Sequence, residues 1–143
     1  MLGAIMLAGI DGPEVSARTL AAIVATGLRR EEFFRPSHAT IFDAALAVAE
    51  RGEPTTPLMV EHELRRSGLL DTIGGAPRLH ELAILTPARG NAPHHAALVI
   101  AAADRRELAE LGRGLLAASE TGVIDDALRD RLAQVVERSE ERR

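Results

Sequence analysis

Between Glu32 and Asn91, glycine and proline cut the chain at intervals too short for a layer of strands. Each interval carries apolar residues at helical spacing. Pro36 opens the central piece, at a first-turn position where a missing N–H costs nothing. Ile41, Phe42, Ala45, Leu46 and Ala49 then make a broad apolar stripe that Gly52 ends. Thr56-Pro57 is a cap followed by a first-turn proline, Val60 and Leu64 give the buried face, and Gly68 closes the helix. Leu69, Leu70 and Ile73 form an apolar clasp ahead of Gly74-Gly75, a pair suited to positive φ or close backbone approach. Leu79, Leu82 and Ala83 mark a further helix, broken by Thr86-Pro87. The expected core is Phe33, Phe34, Ile41, Phe42, Leu46, Leu64, Leu79 and Leu82, with Phe33 and Phe34 folding back over the stripe.

The flanks repeat the pattern. Leu2, Ile5 and Met6 share a helical face; Asp11-Gly12-Pro13 is a turn; Leu20, Ile23 and Val24 share the next face, and Gly27 stops it. Asn91 caps a long segment with Pro93 in its first turn and no proline after it. Along it Leu108, Leu111, Leu115 and Ala118 step 3, 4, 3, a heptad seam. Glu120-Thr121-Gly122 breaks the run, and Asp125 caps a last helix in which Leu128, Leu132 and Val135 step 4, 3. Two helices joined by a short turn form an αα-hairpin. The expected fold is therefore all-α and a single domain over residues 1–143. It is a compact bundle over 1–88 followed by a protruding antiparallel hairpin over 91–138, with about six to seven helices and no sheet. Leu98, Val99, Leu116 and Val136 lie off the seam, which points to self-association, as a dimer, through exposed apolar residues between Ala97 and Val136.

Composition removes most chemistry. The 143 residues include no cysteine, so there is no disulfide or thiolate site, and no lysine. The phosphate-cradling loop G-x-x-x-x-G-K-[ST] cannot be written without lysine, so this chain is expected neither to hold ATP in such a loop nor to hydrolyse it. A net charge of −4 and an aromatic content of 2% argue against a nucleic-acid coat and a base-stacking platform, leaving DNA contact weak or indirect. His62-Glu63 and His80-Glu81 each begin like H-E-x-x-H, but Arg66 and Ile84 stand at the second histidine position, so no metal or other cofactor is expected. The adjacent His94 and His95 point to different sides of a helix. Arg29-Arg30, Arg65-Arg66 and Arg105-Arg106 read as solvated or ion-paired faces. The apolar start, Met1 to Ile10, is too short to span a bilayer and lacks a basic leader, so the chain is expected in the cytoplasm. An enzyme of this composition would have to use His38 or Glu63 in a bundle pocket.

The ordered set of pieces resembles the N-terminal domain of DnaB-type replicative DNA helicases over nearly the whole chain. Leu2-Gly3-Ala4-Ile5-Met6-Leu7 is similar to that family's opening helix. Glu32-Phe33-Phe34-Arg35-Pro36-Ser37-His38 followed by Ile41-Phe42 is similar to its acidic, aromatic and histidine segment. Arg66-Ser67-Gly68-Leu69-Leu70, Gly74-Gly75 and Thr86-Pro87 ahead of Asn91 fall in family order. The departures are a longer, glycine-rich Ala8–Ser16 segment, His94 and His95 where aromatics are common, and the lack of a RecA-like motor domain. The resemblance implies a globular bundle plus a hairpin that pairs between subunits. Pairs would form a collar as a trimer of dimers, and the collar would bind the primase C-terminal domain or a helicase loader. On this reading Leu108, Leu111, Leu115, Leu128, Leu132 and Val135 are the hairpin seam, and the function is non-catalytic assembly and docking in DNA replication. The alternative is a free-standing helicase-regulating or DNA-binding helical protein.

Overall fold

The computed structural model describes residues 1–86 and 91–141. Among these the regular structure is entirely helical: α1 Leu2–Ile10, α2 Pro13–Val24, α3 Pro36–Glu50, α4 Pro57–Arg66, α5 Ala76–Ile84, α6 Ala92–Thr121 and α7 Asp126–Glu141. Short 3-10 turns at Arg30–Glu32 and Asp71–Ile73 precede α3 and α5. The boundaries follow local chemistry. Prolines sit in the first turns of α2, α3, α4 and α5. The Thr56 hydroxyl accepts from the Met59 N–H at 3.3 Å, satisfying one orphan donor of α4. Gly74 and Gly75, at φ 98 and 77, make a reversal that a side chain would strain. Pro87 and Ala88, expected to end α5 and the bundle, lie outside the described residues.

The chain divides into two compact units, Met1–Ala103 and a second that begins at Asp104. The first contains α1 to α5 and the opening turns of α6: Ala92, Ala96 and Ile100 join the core cluster of Leu2, Ile5, Met6, Ile23, Phe42 and Leu79. The bundle therefore runs past the expected boundary at Asn91, because the first stripe of α6 is apolar and buries there. Phe33 packs on Phe42 with ring centroids 5.3 Å apart. Phe34 departs from expectation: it is 76% exposed. Phe33 is in extended backbone, where neighbouring side chains leave on opposite sides, so only one of the two rings can face the stripe.

Two features give the core its precision. The first is close approach at α1. A Cβ on Gly9 would lie 2.3 Å from the Thr56 nitrogen and 2.4 Å from the Thr55 carbonyl carbon, and one on Gly3 would lie 2.1 Å from the Leu82 carbonyl oxygen. The second is a buried polar knot. Thr55 Oγ1 donates to the Ile5 carbonyl at 2.8 Å and lies 3.1 Å from Ser16 Oγ, which accepts from the Thr55 N–H at 3.0 Å. Both residues are fully buried, and the knot ties α1, α2 and the segment before α4 together. Satisfying these groups on each other avoids the cost of burying them unpaired.

Candidate assembly surface

The second unit is an antiparallel pair made from α6 beyond Asp104 and α7. Asp125 Oδ1 accepts from the Leu128 N–H at 2.8 Å and starts α7. Leu111 and Leu128 are the buried side chains of the pair, 5% and 8% exposed, with Leu132 and Val135 half-buried. Gly114 makes the notch that seats Leu128, since a Cβ there would stand 2.9 Å from Leu128 Cδ1. Ion pairs cross the two helices, Glu107 with Arg138 and Glu110 with Arg131.

The inward ladder of α6 is therefore Asp104, Glu107, Leu111, Gly114 and Ala118. The sequence pointed instead to Leu108, Leu111, Leu115 and Ala118. Leu111 and Ala118 are common to both, but Leu108 is 58% and Leu115 43% exposed. Leucine counting fails here for a physical reason. A glycine supplies a hole rather than a knob, and the aliphatic stem of an ion-paired glutamate packs as well as it charges. Leu98, Leu116 and Val136, the other expected self-association residues, are exposed, and Val99 is half-buried against the bundle core.

The polar groups of the first unit belong to its framework. Glu63 on α4 is held by Arg66 at 2.8 Å and by Arg51 at 2.9 Å. The hydrogen bonds from Arg66, with the Arg51 charge, hold its carboxyl below the usual glutamate range despite burial. A depressed folded-state value adds stability above the unfolded value, and that stability is lost as pH falls through the folded value. Wild type is therefore expected to lose urea stability as pH drops below about 4.3, and Glu63→Gln to flatten that slope. Parallel slopes for the two proteins would show that the arginines do not stabilise this carboxylate.

His38 Nε2 stands 3.5 Å from Arg78 Nη2, and burial, then the Arg78 and Arg35 charges, lower its pKa. It lines a cavity of about 230 Å³ with Phe33, Leu82 and Val99, whereas Glu63 lines a different cleft with Arg30, Asp43 and Leu69. The two enzyme candidates, His38 and Glu63, thus line separate cavities. Among the described residues, no three metal-ligating side chains come together, and no helix is long and apolar enough to cross a membrane.

The family model described as the DnaB-like helicase N terminal domain matches residues 2–101. The chain is 41% identical over 101 residues to the replicative DNA helicase DnaB of Mycobacterium leprae, covering 71% of this chain and 17% of that protein. It is 36% identical over 101 residues to the Leifsonia xyli replicative DNA helicase DnaB, covering 71% of this chain and 22% of that one. The chain thus spans about a fifth of the length of these curated relatives. The crystal structure of the N-terminal domain of DnaB helicase from Mycobacterium tuberculosis matches with a TM-score of 0.73 and 33% identity, covering 95% of this chain and 90% of that one.

Proposed function

The chain belongs to the family of DnaB-like helicase N-terminal domains, the non-motor part of a replicative helicase, and from that membership we propose that it is an assembly and partner-docking module acting in DNA replication. Its work is helix-on-helix burial, not bond chemistry. The observation that carries this reading is the cluster of exposed apolar side chains on the hairpin: Leu108, Leu115, Leu116 and Val136. A monomer has no use for so much exposed apolar surface on two adjoining helices, and pairing across a two-fold axis is the simplest closed way to cover it. In a full-length helicase such pairs would build a trimer of dimers, and the resulting collar would present a face to the primase C-terminal domain or a loader. Contact with DNA is weak or indirect, in keeping with the net charge of −4.

Sedimentation across a concentration series tests this. Wild type is expected to move from monomer to dimer, and a Leu116→Glu/Val136→Glu double variant to remain monomeric with unchanged helicity. A wild type that stays monomeric at every concentration would remove the hairpin as an assembly surface.

A further inference from the structure

We infer that the cavity beside His38 is a binding site for a compact monocarboxylate, an acid with a small aryl or branched-alkyl body. The site lies within the first unit and owes nothing to the hairpin. Its volume is about 230 Å³, and its walls include Leu2, Phe33, Leu82, Leu85 and Val99, with His38 as the one titratable side chain. An apolar cavity of about 150 Å³ takes benzene, whereas drug-sized ligands occupy about 300 Å³ or more. The volume therefore suits a single ring or branched alkyl group with a short polar arm. Leu85 lines the cavity and is also exposed, so the site is reached from solvent.

The charge beside these walls selects an anion. Arg78 on α5 gives Nη1 to Glu81 at 2.6 Å and turns Nη2 towards His38 Nε2 at 3.5 Å. The second distance is longer than an ordinary N–H···acceptor bond, so that half of the guanidinium is poorly satisfied. The Arg78 side chain is 26% exposed, which leaves its charge partly unscreened by water. Arg35, the residue before α3, brings a second positive charge to the same ring. A carboxylate against Nη2 and the imidazole supplies the missing acceptor, in the planar form that guanidinium binds best. Inorganic phosphate would answer the charge and leave the hydrocarbon walls empty. A neutral hydrocarbon would fill the walls and leave Nη2 as it is. An acid with an apolar body uses both.

Binding is linked to the ring itself. The groups facing His38 are Arg35 ahead of its own helix, Arg78 with its partner Glu81 from α5, and the Met1 amino group ahead of α1. Burial and these cations keep the imidazole neutral. A bound carboxylate opposes the cations and favours the imidazolium, so the pH midpoint of His38 moves upward on saturation.

Titration of the full chain with sodium phenylacetate, followed by calorimetry and by the His38 ring-proton resonances, tests the assignment. The expected affinity is about millimolar, which about ten non-hydrogen atoms ordinarily reach, with the His38 midpoint raised. Phenylacetamide, which lacks the charge, and acetate, which lacks the ring, are expected to bind at least about tenfold more weakly. Both comparisons use the wild-type chain and so do not depend on a variant folding. Arg78→Gln is expected to weaken phenylacetate at least about tenfold, and Arg30→Gln, in the other cleft, to leave it unchanged. His38 resonances that stay fixed well above millimolar phenylacetate, or phenylacetamide binding as tightly as the acid, would overturn the site. A peptide ending in a free leucine carboxylate that binds where phenylacetate does not would overturn the small-acid assignment in favour of a chain end. None of these outcomes bears on hairpin assembly.

Discussion

Replacing Phe42 by alanine is expected to remove about 3–5 kcal/mol of folding stability, the usual cost of deleting a buried ring. Phe42 is 2% exposed and sits where α3 meets the rest of the first unit. Its ring is tilted against Phe33, so truncation opens a cavity and also strands a second aromatic. The chain has three phenylalanines and no tryptophan or tyrosine, so the Phe33–Phe42 pair holds two of its three phenylalanine rings. Urea denaturation at fixed pH reads the effect. A loss below about 1 kcal/mol would mean that the ring is not packed as described.

Gly9→Ala is expected to cost about 3 kcal/mol, the upper part of the overpacking range. The sign is what makes the substitution informative. Alanine in a helix normally gains about 1 kcal/mol over glycine, and Gly9 lies inside α1. Here, however, the added carbon would meet backbone atoms of Thr55 and Thr56 at 2.3–2.4 Å. Backbone cannot swing aside as a flexible side chain would, and moving it pulls Thr55 off Ser16 and Ile5. A raised thermal midpoint for Gly9→Ala would refute the close approach.

The two substitutions mark what was legible before the structure. The helices and their ends were, because their causes are local: prolines in first turns, the Thr56 cap and the Gly74-Gly75 reversal all act within a few residues. The buried faces of α3, α4 and α5 followed from periodicity, which places Ile41, Phe42, Leu64 and Leu79 inward. What failed was tertiary. Phe34 carried the same apolar signal as Phe33, and only the extended backbone between them decides which ring goes in. The close approaches at Gly3 and Gly9 were not legible, since nothing near them in sequence announces the backbone they touch. Two places of the hairpin ladder, Glu107 rather than Leu108 and Gly114 rather than Leu115, were missed for the same reason. Gly114 matters through Leu128, and Glu107 through Arg138, partners that no local pattern names. Glu63 read as half of a failed metal motif, although its role depends on two arginines from different segments.

The knot between Ser16 and Thr55 has a consequence for how the chain can be cut and lengthened. The segment from Glu53 to Thr56 is a connector by shape, the sort of place where insertions are ordinarily tolerated. Its central residue is nonetheless wholly enclosed, with its N–H and hydroxyl both committed to other helices. That amide can meet solvent only when α1 and α2 come apart, so it shares the slow opening of the core rather than the fast breathing of a loop. The turn at Gly27, where even an added carbon would meet open space, is a permissive joint of the first unit, as are the turns at Gly52 and Gly68. The stretch around Thr55 is a fastener that happens to lack secondary structure, and a linker or a protease site placed there would undo three elements at once.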